Sequence, residues 1–119
     1  MKQTIIIDKL APMLNGKDGL KRMHWAKYRK VRDAWTWLIR SKKPQKHSGR
    51  VKISFIRYST ARPDWDNLYA SFKVIGDALQ NAGVIRDDSM DDIVSLDAKW
   101  KKESKNKLQR TEIIIKDVS

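Results

Sequence analysis

Residues 64–88 read DWDNLYASFKVIGDALQNAGVIRDD and combine a helical apolar pattern with five acidic side chains. At about 100° per residue, Asp66, Lys73 and Asp77 fall together on one side of a helix. Apolar residues form a stripe on nearly the opposite side, namely Leu68, Phe72, Ile75 and Leu79. Gly83 follows at a position where a left-handed helix end is common. The stretch therefore predicts an amphipathic helix from about Asp66 to Ala82, with one side in the core and the other available for chemistry.

The remaining sequence predicts strands and one further helix. Four segments have the β-branched content or alternation of strands: Thr4–Ile7, Val51–Tyr58, Ile93–Trp100 and Thr111–Val118. A helix is predicted from about Arg22 to Ser41, ended by Pro44, because apolar residues recur there at helical spacing: Trp25, Tyr28, Val31, Trp35, Leu38 and Ile39. Residues 11–19, which include Gly16, are predicted to form a loop. We expect one α+β domain over residues 1–119, with a mixed or mostly antiparallel sheet of about four strands packed with two helices.

Charge is distributed unevenly along the chain. The net charge is +12, yet residues 64–97 hold eight of the fourteen acidic residues and two of the 26 basic ones. A cationic protein attracts a polyanion, and a group of carboxylates within it attracts multivalent metal ions. The pattern favours metal-dependent chemistry on nucleic acid. A basic ribosomal or scaffold protein is the alternative.

Several other classes of protein are disfavoured. The chain has no cysteine, which excludes disulfides and thiolate metal sites. It lacks an apolar run of about 20 residues and a signal-peptide pattern, so we expect a cytoplasmic protein with no membrane partner. No nucleotide-binding fingerprint is present, and no small-molecule cofactor is expected. His24 and His47 lack acidic or cysteine partners at metal-ligand spacing, so structural or phosphate-contacting roles are expected for them.

Two pairs of acids are the candidate metal ligands. In an extended backbone Asp64 and Asp66 point to the same side, where they could flank Mg²⁺ or Mn²⁺. The alternative is helix capping by Asp66 or Asn67, which leaves Asp64 unexplained. The pair Asp87-Asp88 could return a third carboxylate toward the first two, although such a pair is more often a solvated turn.

Three linked motifs resemble a known family: Asp64-x-Asp66-Asn67-Leu68, Lys73-x-x-x-Asp77-Ala78-Leu79 and Gly83-x-x-x-Asp87-Asp88. They are similar to the signature of RusA-like Holliday junction resolvases, small endonucleases frequent in bacteria and prophages. The resemblance implies a homodimeric, Mg²⁺-dependent nuclease, with Mn²⁺ as a substitute, that makes symmetric paired nicks in four-way DNA junctions during recombination and repair. It also implies that Asp64, Asp66 and Asp88 bind metal, with Asp87 as their acidic neighbour.

The catalytic lysine of the family is displaced in this chain. The family pattern places it where Ala70 stands, and a three-residue insertion would make Lys73 its counterpart. Lys73 would then stabilise charge on the phosphate or the leaving oxygen. A surface lysine is the alternative role, and Arg62 or Arg86 could supply the positive charge instead.

Candidate DNA contacts are concentrated in one basic run, which contains Lys99, Lys101, Lys102, Lys105, Lys107 and Arg110. Its alternative interpretation is a solvated hairpin tip. Trp25, Trp35, Trp37 and Trp100 could form a dimer interface or stack on unpaired bases, although core packing is the commoner role, and Trp37 is the one expected to be exposed. A metal nuclease for flaps or forks and a non-catalytic DNA-binding protein are the competing functions.

Overall fold

The computed structural model describes residues 1–15, 19–105 and 107–118, so residues 16–18 of the predicted 11–19 loop, Gly16 among them, lie outside the described residues. The elements are β1 (Lys2–Ile7), α1 (Trp25–Ser41), β2 (Val51–Ser59), α2 (Trp65–Ala70), α3 (Phe72–Asn81), β3 (Ile93–Lys102) and β4 (Arg110–Asp117), with a short 3-10 turn at Leu20–Arg22. The four strands form one sheet in the order β1-β4-β2-β3. The predicted α+β class with a mixed sheet is confirmed. Within the described ranges, no helix is both long and apolar enough to span a bilayer.

The sheet is mixed because β2 and β3 are parallel, whereas β4 is antiparallel to both β1 and β2. Parallel neighbours need a long crossover, which α2 and α3 provide. Since β2 lies between β3 and β4, these two strands do not form a hairpin, and the interpretation of the basic run as a hairpin tip is wrong. The two ends of their connection lie near the end of β2, where the Glu103 amide donates to the Ser59 carbonyl at 3.0 Å and the Thr60 amide donates to Gln109 Oε1 at 3.2 Å.

One face of the sheet carries the core. A buried row crosses all four strands through Ile5, Ile113, Phe55 and Ala98. Trp35 and Ile39 of α1 and Ile75 and Leu79 of α3 are fully buried against this face. Each such side chain stabilises the fold by about 1.5–3 kcal/mol through removal of apolar surface from water.

Two tryptophans of α1, Trp25 and Trp37, are exposed, although the helical pattern predicted exposure only for Trp37. Trp37 is 67% exposed, as predicted. Trp25 is 62% exposed, so its expected place in the buried stripe is wrong. It is the first residue of the helix, beyond the reach of the core, and its ring lies 4.7 Å from the Arg29 guanidinium. His24 caps this helix by accepting from the Ala26 amide.

The predicted second helix is present as two consecutive segments. Ser71 separates α2 from α3 with nearly helical dihedral angles, φ −59° and ψ −23°. Its hydroxyl donates to the Pro12 carbonyl at 3.1 Å, which ties the crossover to the segment after β1. The predicted apolar stripe is otherwise confirmed, since Leu68, Ile75 and Leu79 are buried.

His47 has a structural role. Its ring is buried and lies 2.5 Å from an oxygen of Asp117 and 2.7 Å from the Gln3 amide nitrogen. The expectation that it lacks an acidic partner holds only for its sequence neighbours, because Asp117 is 70 residues away. Hydrogen bonding to His47 lowers the pKa of the Asp117 carboxyl.

The end of α3 depends on Gly83, whose φ of +75° matches the predicted left-handed position. We expect Gly83→Ala to lower the free energy of unfolding by about 1–2 kcal/mol, because a Cβ is disfavoured in this conformation. Gly83→Asn should cost less, since asparagine tolerates it better. Urea denaturation measures both. Gly49→Ala is the control, because nothing lies within 4 Å of the Cβ it would add. Equal unfolding midpoints for Gly83→Ala and Gly49→Ala would contradict the account.

Candidate active site

Tyr28 joins α1 to the charged side of α3. Its hydroxyl donates to the carboxylate of Asp77 and lies 3.3 Å from the carbonyl of Lys73. The Lys73 ammonium lies 3.8 Å from Asp77 Oδ2 and 5.0 Å from the centre of the Tyr28 ring. Burial, the hydrogen bond to Asp77 and the charge of Asp77 raise the pKa of the Tyr28 hydroxyl, so it remains a proton donor. The contact holds one cation and one anion of α3 in a defined place.

Asp88 lies close to Asp77 in this group. Partial desolvation, hydrogen bonding with Asp77 and the charges of Asp77 and Asp87 raise the pKa of the Asp88 carboxyl. The segment after Gly83 therefore returns an acid to α3, whereas the sequence suggested a return toward Asp64 and Asp66. The acid that it meets is Asp77. A proton on Asp88 reduces the repulsion between the two carboxyls when no cation is present.

Asp64 and Asp66 lie at the other end of the crossover. Asp64 caps α2, with its Oδ1 accepting from the Asn67 amide at 2.9 Å, and Asp66 is exposed in the first turn. The expectation that Asp66 or Asn67 would be the cap is therefore wrong. The Asn67 side chain instead accepts from the Asn15 amide at 2.8 Å. Across residues 1–15, 19–105 and 107–118, no three acidic or histidine side chains are gathered to hold one metal ion, so the structure does not bring Asp64 and Asp66 together with Asp88.

Two clefts flank the crossover along the edge strand β3. One, of about 360 Å³, has Asp88 in its wall together with Phe72, Met90, Ile93 and Leu96. The other, of about 230 Å³, is lined by Arg62, Pro63, Asp64, Trp65, Leu68 and Trp100. Asp88 therefore lines one cleft and Asp64 the other, at different ends of the same surface.

The family model for the endodeoxyribonuclease RusA matches residues 12–116 of the 119-residue chain. The chain belongs to the RusA endodeoxyribonuclease family. No curated protein matches it at a significant level. Membership in the RusA family supports an endonuclease of DNA that acts on Holliday junctions in recombination.

The structure separates the candidate DNA-binding cations of this RusA protein by their contacts. Arg86 is paired with Asp92, and Arg110 with Glu103 and Glu112, so both fix loops at the ends of β3. Lys99 lies 3.8 Å from Asp97, and Lys101 lies 5.9 Å from the Tyr58 ring centre. Arg62, Lys102, Lys105 and Lys107 are exposed. Their contacts with DNA stay a prediction.

The sequence did not predict the roles of Asp77 and Tyr28, the two residues that organise the cluster. Asp77 was placed beside Lys73 by helical spacing, and four-residue spacing of opposite charges is a usable signal for a pair. Its role as the partner of Asp88 needed the return of the chain after Gly83. Tyr28 could not be found this way, because it lies 49 residues from Asp77 and its helical spacing indicated only the core.

The carboxyl pair predicts a gain in stability for Asp88→Asn in metal-free protein. A folded-state pKa above the unfolded value means that ionisation of Asp88 costs stability as the pH rises through that window. Asn removes this cost, so the melting temperature in EDTA should rise at about pH 7. At about pH 3.5 the gain should be much smaller, because the carboxyl is mostly protonated in both states.

Thermal unfolding at the two pH values measures this effect. Asp91→Asn removes the same charge from an exposed neighbour and is the control. A melting temperature that falls at about pH 7 in Asp88→Asn alone would show that the Asp88 charge is stabilising.

Proposed function

We propose that this RusA family protein is a Mg²⁺-dependent endonuclease that resolves four-way DNA junctions by symmetric paired nicks. The observation that carries the chemistry is the approach of Asp88 to Asp77, whose carboxylate lies 3.8 Å from the Lys73 ammonium. A carboxyl whose pKa is raised by burial and by a neighbouring acid, as in Asp88, is costly to keep ionised, and such groups are concentrated at functional sites. Family membership and the net charge of +12 support DNA as the substrate.

The residues fit a hard divalent cation in donor type. The cluster offers carboxylate oxygens without cysteine or histidine, which suits Mg²⁺ or Mn²⁺. Asp77 and Asp88 would hold the ion, with Asp87 beside them. We propose that Asp64 and Asp66, at the start of α2, supply further carboxylate ligands to the ion. When bound, the ion supplies charge neutralisation of the phosphate and a more acidic water.

The protein's own groups would position the phosphate. The Lys73 ammonium lies 5.0 Å from the centre of the Tyr28 ring and 3.8 Å from Asp77 Oδ2, so a positive charge is already beside the carboxyls before DNA arrives. A charge that is already in place stabilises a developing oxyanion with little reorganisation during the reaction. The Tyr28 hydroxyl keeps Asp77 oriented. Exposed cations along β3 and the segment after it would bind the phosphate backbone on either side.

The paired nicks require two sites. A four-way junction presents two strands related by approximate two-fold symmetry, and one chain has one site. We propose a homodimer whose axis matches that of the junction, so that each protomer cuts one strand.

We expect Asp66→Asn and Asp88→Asn each to reduce single-turnover junction cleavage by about 100-fold or more, because each removes a carboxylate from the proposed ion site. Junction affinity should be kept or increased, since a negative charge is lost. Asp91→Asn is the matched control. Cleavage is measured with end-labelled four-way, flap, fork and linear DNA in Mg²⁺, and affinity by gel shift in EDTA.

The panel also separates the competing functions. Symmetric nicks in the four-way junction alone support the resolvase. Preferred cutting of flaps or forks would replace it with a different branched-DNA nuclease. Full activity of both variants, or no cutting by the unaltered protein, would refute the proposal.

Lys73→Met should lower the single-turnover rate at saturating DNA by about 10- to 100-fold, because it removes a fixed positive charge from the transition state. The apparent Kd for the junction should change little. Lys52→Met removes the same charge from β2, where strand alternation directs the side chain away from the helices. Equal rate losses in the two variants would show that Lys73 acts only through the overall positive charge of the protein.

A further inference from the structure

Two exposed aromatic rings stand at the start of the crossover. Trp65 lies between Asp64 and Asp66 and is 68% exposed, and Tyr69, one helical turn later, is 37% exposed. Their ring centres are 6.2 Å apart at an interplanar angle of 37°. A pair of large exposed rings on a strongly charged surface is a candidate contact for another molecule.

Folding does not account for this pair. Leu68 is the residue of α2 that enters the core, at 2% exposure. Tyr69 is nevertheless fixed, because its hydroxyl accepts from the Ala98 amide of β3 at 3.3 Å. Trp65 therefore rests against an anchored ring. The arrangement is preorganised, which lowers the entropic cost of binding.

The surroundings indicate what kind of group binds there. Beside Trp65, the cleft of about 230 Å³ has Arg62 and Trp100 in its wall, with the Arg62 guanidinium 5.8 Å from the Trp100 ring centre. Trp100 is held by a hydrogen bond from its Nε1 to Ser59 Oγ at 3.0 Å. Fixed aromatic rings next to a guanidinium match a nucleobase next to its phosphate.

We propose that Trp65 and Tyr69 form a stacking platform for an unpaired nucleobase adjacent to the strand that is cut. This inference rests on the proposed function, since it assigns the specificity of that site. A base within continuous duplex has both faces covered by its neighbours. A base at a branch point can offer one face to a protein ring. The platform therefore selects branched over linear DNA and places the strand beside Asp64 and Asp66.

The decisive comparison is Trp65→Ala against Trp37→Ala. Trp37 is 67% exposed, and it lies on α1, outside the cleft that contains Trp65. We expect Trp65→Ala to weaken junction binding by about 5- to 100-fold, the range for loss of one stacked base, with little change on linear duplex. Trp65→Phe should recover most of the loss because it restores a ring. Trp37→Ala should leave the ratio of junction to duplex affinity unchanged.

A fluorescent base gives a readout that does not require cleavage. With 2-aminopurine at the branch point and EDTA in the buffer, binding of the Trp65-containing protein should quench the fluorescence as the base stacks. Trp65→Ala should bind at high concentration without quenching. Sedimentation of each variant monitors its oligomeric state.

Each outcome bears on one proposal. Loss of quenching and of junction preference at unchanged mass supports the platform. Loss accompanied by a change in oligomeric state would overturn it, because the rings would then be an interface between copies. Unchanged quenching in Trp65→Ala would also overturn it. Absence of cleavage by the unaltered protein in Mg²⁺ refutes the nuclease proposal separately, whatever the fluorescence shows.

Discussion

The parallel pairing of β2 with β3 is the constraint on which the arrangement of the site depends. Parallel neighbours cannot be joined by a tight turn, so the chain must cross one face of the sheet, and α2 and α3 form that crossover. Asp64 begins the crossover directly after β2, and Asp88 follows it in the turn that leads into β3. The acids that the family motifs connect in sequence are therefore separated by the length of two helical segments. Asp77 of α3 becomes the acidic partner that Asp88 meets.

Packing of α1 against α3 turns a charged helix face into an organised group. A solvated helix face would leave Lys73 and Asp77 free to adopt many rotamers. Here Tyr28 from α1 holds the Asp77 carboxylate and shields one side of the Lys73 ammonium. Hydrogen bonds to charged groups are among the stronger ones. A side chain that is already ordered in the free protein loses less conformational entropy when substrate binds. On the proposed function, this local order would help to position the phosphate.

The sequence predicted most of the elements because their signals are local. The four strands, the apolar stripe of the crossover and the left-handed Gly83 depend on residues within a few positions of one another, and each was found. Strand order was not, because β4 inserts between β1 and β2 through pairings that span most of the chain. The contacts Tyr28–Asp77 and His47–Asp117 were not predicted for the same reason, because their partners lie far apart in the sequence. Trp25 was misplaced because helical periodicity does not report where a helix extends beyond its core. Helical spacing did place Lys73 with Asp77, but the expected return of Asp88 toward Asp64 and Asp66 is replaced by its approach to Asp77.

The raised pKa of Asp88 links the metal, the proton and the DNA. In the proposed site, a divalent cation would compete with a proton for the Asp88 carboxyl, whose pKa is raised. On the proposed function, a DNA phosphate would add negative charge beside Lys73 and increase the need for a further counter-charge. The ion and the DNA would therefore each favour the binding of the other. If Asp64 and Asp66 share an ion with Asp88 as proposed, they would approach it only when a cation is present, because three carboxylates brought together without a cation would repel one another.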